Sequence, residues 1–439
     1  MTKTIGPQSV SSRIINMLKS DALGGILLMV FTVIALIWAN SPFRESYHHL
    51  WHIPLALEVG SFKFEIHLLH FINDALMAVF FYMVGLEIKR EFVAGELSSG
   101  RKAALPALGA LGGMLFPALI FLAVVSFSDT EGIRQGWGVP MATDIAFSLG
   151  IISLLGKRIP LALKVFLVAL AIVDDLGAIL VIAIFYTAEI NIAYLLMGLG
   201  LLALLFLLER LNFRTISVYH LVGVVIWYFF YESGVHATIA GVLLALVTPM
   251  RRELGLRAFL QKMRKLECDE NHDHEGDLLS SRQNEKVQMI KKQIKRLESP
   301  LQRLEHDLHV TVNYFIMPVF ALANAGVTFG GGSGGFTTVT LAVALGLMVG
   351  KPLGITLLAW LGTKAGWAEL PPGLTWRNIF GVALVAGIGF TMAIFVATLA
   401  FSDVNLLNQA KSGIFLGSIL AGIAGFFTLK KMFPDNISR

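Results

Sequence analysis

Five polar side chains lie inside otherwise apolar stretches of this sequence. Asp174 and Asp175 are adjacent in VALAIVDDLGAILVIAIF, Thr143 and Asp144 are adjacent in PMATDIAF, and Lys351 interrupts LMVGKPLGI. A charged residue at the centre of a membrane span costs roughly 2.5–3.5 kcal/mol on insertion scales, so each is a candidate functional residue. The sequence therefore points first to ion chemistry inside a membrane.

The two adjacent aspartates are expected to do different things. Neighbouring residues on a helix point about 100° apart, so Asp174 and Asp175 cannot both face one ligand squarely. One can meet a cation while the other reaches a partner, and Lys351, just before the helix-disturbing Pro352, is the obvious partner. Two other interpretations stay open: a purely structural buried ion network, and a lysine that extends to the membrane interface.

Carboxylates in this position indicate cation–proton exchange. Their oxygens suit hard cations such as Na⁺ or Li⁺ rather than soft metals. The same oxygens cannot hold a cation and their protons together, so competition for one site at Asp174 and Asp175 would couple cation movement to proton movement. Counting charges on the aspartates and Lys351 further predicts electrogenic exchange, with two protons moved for each cation. This chemistry belongs to a transporter and requires no enzyme activity and no cofactor.

The elements that must position these residues are membrane-spanning helices. Of 439 residues, 55% are apolar and only 15% are charged, whereas soluble domains have about 25% charged residues. Apolar runs of roughly 20 residues, enough to cross a bilayer, predict an all-α polytopic membrane protein of about twelve spans rather than a large soluble protein. Spans 1 to 12 are predicted at 22–40, 67–88, 103–127, 140–155, 159–186, 193–208, 217–231, 236–249, 309–329, 338–361, 377–401 and 408–429.

Spans 4 and 11 are predicted to be broken in mid-membrane. Pro140 and the Thr143–Asp144 pair begin span 4, and Gly387 and Gly389 interrupt span 11. The two spans are seven apart and so run in opposite directions, which is typical of inverted repeats with broken helices at the midplane. Asp144 could then offset the exposed positive helix ends and Lys351 the negative ends. Small-residue packing between intact helices is the alternative for the glycines.

The loops predict the orientation and the domain boundaries. Basic residues concentrate on alternate loops and on the tail, which places both termini in the cytoplasm. Residues 1–249 would hold spans 1 to 8, and 309–439 spans 9 to 12 with a cytoplasmic tail. Residues 55–66 predict an extracytoplasmic β-hairpin around Gly60. The excess of basic over acidic residues thus fits cytoplasmic loops, and nucleic acid is not an expected partner.

The segment between the two halves is predicted to be a charged cytoplasmic linker, residues 250–308. Its residues 251–300 contain 12 Lys and Arg against 9 Asp and Glu, with helix expected from Glu285 to Leu308. The cluster around Cys268, His272 and His274 has metal-ligand residue types, but nothing in the sequence fixes a ligand geometry. A solvated linker is the preferred interpretation.

Seven stretches together resemble the NhaA-type sodium/proton antiporters. They are INDALMAVFFYMVGLEIKRE (72–91), ATDIAFSLG (142–150), VALAIVDDLGAI (168–179), SGVHATIAG (233–241), FALANAG (320–326), GKPLGI (350–355) and GIGFTMAIF (387–395). The resemblance implies crossed broken helices and exchange of Na⁺ or Li⁺ for H⁺ in a bacterial cytoplasmic membrane, as part of sodium and pH homeostasis. It implies that Asp174 and Asp175 carry the ion and the protons, that Thr143 and Asp144 lie at the crossing, and that Lys351 pairs with Asp174.

The resemblance also implies activation at alkaline pH and a homodimer formed through the hairpin. The positions that match the pH-response residues are Glu87, Arg90, Glu91, His236, Glu305, His306 and His309. From the residues alone, His236 could equally be a packing residue and 305–309 a solvated helix start. The linker is longer and more charged than the resemblance predicts, and it joins directly to the residues at 305–309.

Three other functions are compatible with charged residues in a membrane. A cation–proton exchanger of other selectivity, such as K⁺, would use the same residues. An intramembrane aspartyl protease needs carboxylates on two different helices, usually with a GxGD-like signature, and GIGF at 387–390 lacks the aspartate. A channel predicts polar rings along a pore, whereas this chain concentrates charge at one depth.

Overall fold

The computed structural model is almost entirely helical in the part of the chain it describes. That part comprises residues 22–60, 62–128, 130–187, 190–211, 213, 215–252, 254–267, 281–328 and 337–434. The helices up to residue 154 are Ala22–Ala39, Arg44–Trp51, Leu68–His70, Phe71–Leu76, Met77–Ala94, Glu96–Ser98, Gly100–Val125, Ile133–Met141 and Ile145–Leu154. The helices that follow are Gly156–Arg158, Leu161–Phe185, Ile192–Arg210, Ile216–Glu232, Ala237–Val247, Leu256–Glu267 and Ser281–Leu297. The last are Pro300–Thr311, Val312–Ile316, Met317–Asn324, Thr338–Leu345, Gly346–Gly350, Lys351–Lys364, Trp376–Ala386, Phe390–Ala400 and Val404–Met432.

Helices occupy all twelve predicted runs. Within the described residues, six helices are each long and apolar enough to cross a membrane, and up to nine spans result if each of three bent pairs counts as one. Ile216–Glu232 and Ala237–Val247 are shorter apolar helices at predicted spans 7 and 8. Continuous helix from Pro300 to Asn324 covers predicted span 9 as far as Asn324. The prediction of an all-α polytopic membrane protein is confirmed.

Spans 4 and 11 are both broken, and their breaks meet. Span 4 bends by 41° between Ile133–Met141 and Ile145–Leu154, and span 11 bends by 52° between Trp376–Ala386 and Phe390–Ala400. The first half of each span packs against the second half of the other. The backbone N–H of Asp144 donates to the carbonyl of Ile388 at 2.7 Å, which joins the two breaks directly.

Close contact between two other helices fixes the depth of Lys351. Helices Gly100–Val125 and Lys351–Lys364 pack so closely that a Cβ on Gly112 would collide with the carbonyl of Gly354, and one on Gly354 with that of Gly112. Small residues allow such backbone approach between membrane helices. The five residues Gly346–Gly350, just before Lys351, form a π-helical turn, a feature frequent at functional sites.

A two-stranded hairpin lies at the position that the sequence predicts. Strands Pro54–Val59 and Phe62–His67 are antiparallel, with Val59 opposite Phe62, and Gly60 in the turn has a φ of 61°. The ring of Phe64 packs edge-on against three aromatic rings near the C-terminal end of helix Ile216–Glu232, those of Trp227, Tyr228 and Tyr231. The hairpin is thereby held against the helical bundle.

The linker contains more helix than the sequence predicts, and helices that pack in the membrane bundle begin before residue 308. Helices Leu256–Glu267 and Ser281–Leu297 lie within it; the cluster around Cys268, His272 and His274 falls outside the described residues. Helix Pro300–Thr311 starts eight residues before the predicted end of the linker, at 308. Leu301 and Leu304 are buried against span 2 and span 7, because their three-residue spacing gives this helix an apolar face.

Candidate functional site

Asp174 and Lys351 form a buried ion pair near the crossing of the broken helices. Lys351 Nζ lies 2.7 Å from Asp174 Oδ2, and their side chains are 0% and 1% exposed. Thr143 Oγ1 donates to the same carboxylate oxygen at 2.6 Å. Lys351 also donates to the carbonyl of Met141, the last residue of the first half of span 4. The structure thus places Lys351 against the partner that the sequence predicts.

Asp175 points away from this pair and into a cavity. The cavity has a volume of about 190 Å³, and both Asp175 and Asp144 line it. Both carboxylate oxygens of Asp175, and Oδ1 of Asp174, are buried with no hydrogen-bond partner among the described residues. Buried polar atoms are normally satisfied, so three unpartnered carboxylate oxygens mark a place where a cation or a proton can bind.

The carboxylate of Asp144 accepts hydrogen bonds from the N-termini of two half-helices. Its Oδ1 accepts from the backbone N–H of Phe147 at 3.0 Å, which caps helix Ile145–Leu154. Its Oδ2 accepts from the backbone N–H of Thr391 at 3.0 Å and from the Thr391 hydroxyl, at the start of Phe390–Ala400. A carboxylate between two helix N-termini offsets the positive ends of both dipoles.

The backbone carbonyl and N–H groups at the breaks also have hydrogen-bond partners. Thr143 Oγ1, whose single proton is shared with Asp174 Oδ2, lies 3.1 Å from the carbonyl of Ala386. Ser148 Oγ donates to the carbonyl of Val385 at 3.1 Å, and Ser418 Oγ accepts from the N–H groups of Gly389 and Phe390. Backbone groups inside a bilayer must be satisfied by protein because water is absent. Two broken helices can therefore persist at mid-membrane only where such side chains converge.

Thr391, Ser148 and Ser418 were not predicted from the sequence. Thr391 follows Gly389 by two residues, so a hydroxyl at the first turn after a glycine break was an available signal. Ser148 and Ser418 carry no comparable mark, because single serines are common at helix contacts in membranes.

A second charged cluster lies at the far end of the same cavity. Arg90 Nε lies 3.0 Å from Glu305 Oε1, Arg90 Nη1 lies 2.9 Å from Glu91 Oε1, and Glu87 Oε1 is 4.0 Å from Nη2. Glu87, Glu305 and His309 line the cavity that Asp175 and Asp144 line. The cavity therefore runs from the cluster around Arg90 to Asp175 and Asp144.

The structure keeps two predicted pH-response residues apart from this cluster. His306 is exposed and lines a different groove, beside His220 and Glu298. His236 Nε2 lies 2.7 Å from the carbonyl of Tyr186. Tyr186 directly follows the C-terminal end of the span-5 helix, Leu161–Phe185. His236 therefore has the contacts of a packing residue at a helix junction.

Comparisons with known proteins identify the family of this chain. The model of the family described as Na⁺/H⁺ antiporter 1 matches residues 15–429. A Na(+)/H(+) antiporter NhaA from Oleidesulfovibrio alaskensis is 49% identical over 415 residues, covering 93% of this chain and 92% of the relative. Relatives of the same name from Koribacter versatilis and Helicobacter pylori strain P12 are each 46% identical, covering 98% and 93% of this chain and 93% of their own lengths. Because the family model matches nearly the whole chain, this protein belongs to the Na⁺/H⁺ antiporter 1 family.

Proposed function

We propose that this protein is a secondary transporter that exchanges Na⁺ for H⁺ across a membrane. The observation that carries the proposal is the pair of unpartnered, buried carboxylate oxygens of Asp175 on a cavity beside the Asp174–Lys351 ion pair. Hard carboxylate oxygens suit Na⁺ and Li⁺. The names of the relatives support Na⁺ and H⁺ as the substrates.

The competing functions have less support. The two aspartates that would have to act in a protease are adjacent on one helix, with Asp174 held by Lys351 and Asp175 on the cavity. A channel needs a continuous polar path, whereas the polar groups here gather at one crossing. Exchange of K⁺ would use the same carboxylates and is distinguished only by measuring selectivity.

The geometry supports a competition mechanism. In the cation-loaded form, Asp175 is ionised and binds Na⁺ with the free oxygen of Asp174, while Lys351 holds the other oxygen of Asp174. In the proton-loaded form, protons replace Na⁺ on these carboxylates. Because hydrogen bonds rather than continuous helix join the two ends at each break, the two halves can shift relative to each other and present the site to either side, as in other inverted-repeat transporters.

Reconstituted protein is expected to show Na⁺-driven proton flux. In sealed proteoliposomes with a pH-sensitive dye inside, a Na⁺ or Li⁺ pulse should change internal pH, whereas an equal K⁺ pulse should produce much less change. Rates should rise as the assay pH is moved from acidic to alkaline, because protons compete with Na⁺ for the same oxygens. Equal rates with K⁺ would favour the other exchanger; no flux with any cation would contradict the proposal.

Exchange is expected to be electrogenic. With both aspartates ionised and Lys351 protonated the trio carries −1, and one Na⁺ brings it to zero. The return step takes two protons, on both aspartates or on one aspartate and a lysine that had released its own, so one net charge moves per cycle, worth about 2.3 kcal/mol per 100 mV. At zero pH gradient, an inside-negative potential set with valinomycin should accelerate Na⁺ efflux. A rate independent of potential would indicate a permanent Asp174–Lys351 pair and a single working carboxylate.

The pH response is assigned to the cluster around Arg90. Glu87, Glu91 and Glu305 compete for one guanidinium, and helix Pro300–Thr311 carries Glu305 and also His309 on the cavity. A change of protonation there would alter both the ion pairs that join span 2 to this helix and the charge at this end of the cavity. His306 and His236, which lie elsewhere, are not needed for this response.

We further propose that the protein lies in a bacterial cytoplasmic membrane with both termini inside, and that it forms a homodimer. Basic residues on alternate loops support the orientation. Both outer edges of the hairpin are open among the described residues, and Leu55 and Leu57 are exposed on it. An open strand edge is a template for pairing with another chain, so a second copy is the proposed partner at the hairpin.

A further inference from the structure

The linker contains a pair of helices that the transport mechanism does not use. Leu256–Glu267 and Ser281–Leu297 pack against each other. The backbone N–H of Leu254 donates to the carbonyl of Arg296 at 2.9 Å, and Lys262 Nζ lies 3.5 Å from Gln293 Oε1. These contacts bring the start of one helix to the end of the other, as in an antiparallel hairpin.

Both helices are basic and amphipathic. Leu256–Glu267 has four basic residues and one acidic residue, and Ser281–Leu297 has six and one. Apolar residues recur three to four positions apart in each, as at Leu256, Phe259 and Leu260. The pairing leaves part of the apolar surface uncovered, because Leu256, Leu260, Met289 and Ile294 are between 41% and 53% exposed.

The helix pair is attached at both ends to the same end of the bundle. Eight residues separate Val247, the end of span 8, from Leu256, and Lys89 Nζ donates to the carbonyls of Leu246 and Thr248 in that region. Two residues separate Leu297 from Pro300, which starts the buried helix that carries Glu305. Such short connections keep the pair close to the membrane surface on the side of the cluster around Arg90.

We propose that this helix pair lies on the membrane and binds the headgroups of anionic phospholipids. A strongly basic polar face with exposed apolar residues is the pattern of helices that lie in the bilayer interface. Each Lys or Arg near an anionic surface contributes about fivefold in association. The acidic stretch 269–277 is the alternative partner for the basic faces, and the dependence of binding on lipid charge distinguishes the two.

Cys268, the single cysteine, provides a position for a test that does not depend on transport. The full-length protein would be labelled there with a fluorophore and reconstituted into symmetric vesicles whose lipids carry a headgroup nitroxide quencher. Quenching should be stronger in vesicles with phosphatidylglycerol than in phosphatidylcholine alone, and about 1 M salt should remove the difference, because the Debye length there is about 3 Å.

A charge-neutralised variant identifies the residues responsible. Arg257, Lys291 and Lys292 are exposed, and glutamine preserves helix propensity. Arg257→Gln/Lys291→Gln/Lys292→Gln should lower the ratio of bound to free helix pair about 100-fold. The matched variant Arg377→Gln/Lys430→Gln/Lys431→Gln removes three exposed charges from other helix ends and should quench like the wild type. Equal quenching in both lipids at low salt, or an unchanged triple variant, would overturn the proposal and favour cover by the acidic stretch.

Discussion

The Asp175→Asn variant is expected to insert and fold but to lose Na⁺/H⁺ exchange, falling at least about 100-fold to the background of protein-free liposomes. Both Asp175 oxygens lack hydrogen-bond partners among the described residues, so the amide breaks no contact there. It does remove the negative charge and the proton-binding oxygen on which the exchange depends. The measurement is Na⁺-driven internal pH change in proteoliposomes at matched protein content.

The matched control is Asp403→Asn. Asp403 caps helix Val404–Met432 by accepting from the N–H groups of Asn405 and Leu406, and asparagine can make the same cap. That variant should transport like the wild type and melt at the same temperature in detergent. Wild-type flux in Asp175→Asn, at equal expression, would show that this carboxylate does not carry the ion.

The Lys351→Ala variant is expected to have the largest effect on stability. It leaves Asp174 ionised, fully buried and held only by the Thr143 hydroxyl, and breaking a buried pair in this way costs about 3–5 kcal/mol. It also leaves the carbonyl of Met141 without its donor. Thermal unfolding in detergent should therefore show a clear drop in the melting temperature, with Lys351→Arg less affected because it keeps the charge.

A double-mutant cycle separates loss of the pair from loss of packing. Asp174→Asn in the Lys351→Ala background removes the stranded charge, so the double variant should recover much of the stability lost by Lys351→Ala alone. Additive losses would mean that the two residues are not energetically paired. An unchanged melting temperature for Lys351→Ala would mean that the lysine contributes nothing to the folded state.

Much of the architecture was readable from the sequence because the bilayer imposes simple rules. Spans must be apolar, so each of the twelve apolar runs contains helix, and six helices among the described residues are by themselves long and apolar enough to cross. Charges inside spans are costly, so Asp144, Asp174, Asp175 and Lys351 stood out without any structure. Pro140, shortly before Asp144, marked the break in span 4, and Gly387 and Gly389 marked the break in span 11. Gly60 between two alternating stretches marked the hairpin turn.

The tertiary structure decided how those residues divide their tasks. Sequence spacing requires Asp174 and Asp175 to diverge, but the approach of Lys351, fixed by the contact between Gly112 and Gly354, decides which of them is paired. The depth at which two distant breaks cross decides that Asp144 meets Thr391. Arg90 meets Glu305 because helix Pro300–Thr311 buries Leu301 and Leu304. The same packing turns His306 away from the cavity, since residues one position apart on a helix face different directions.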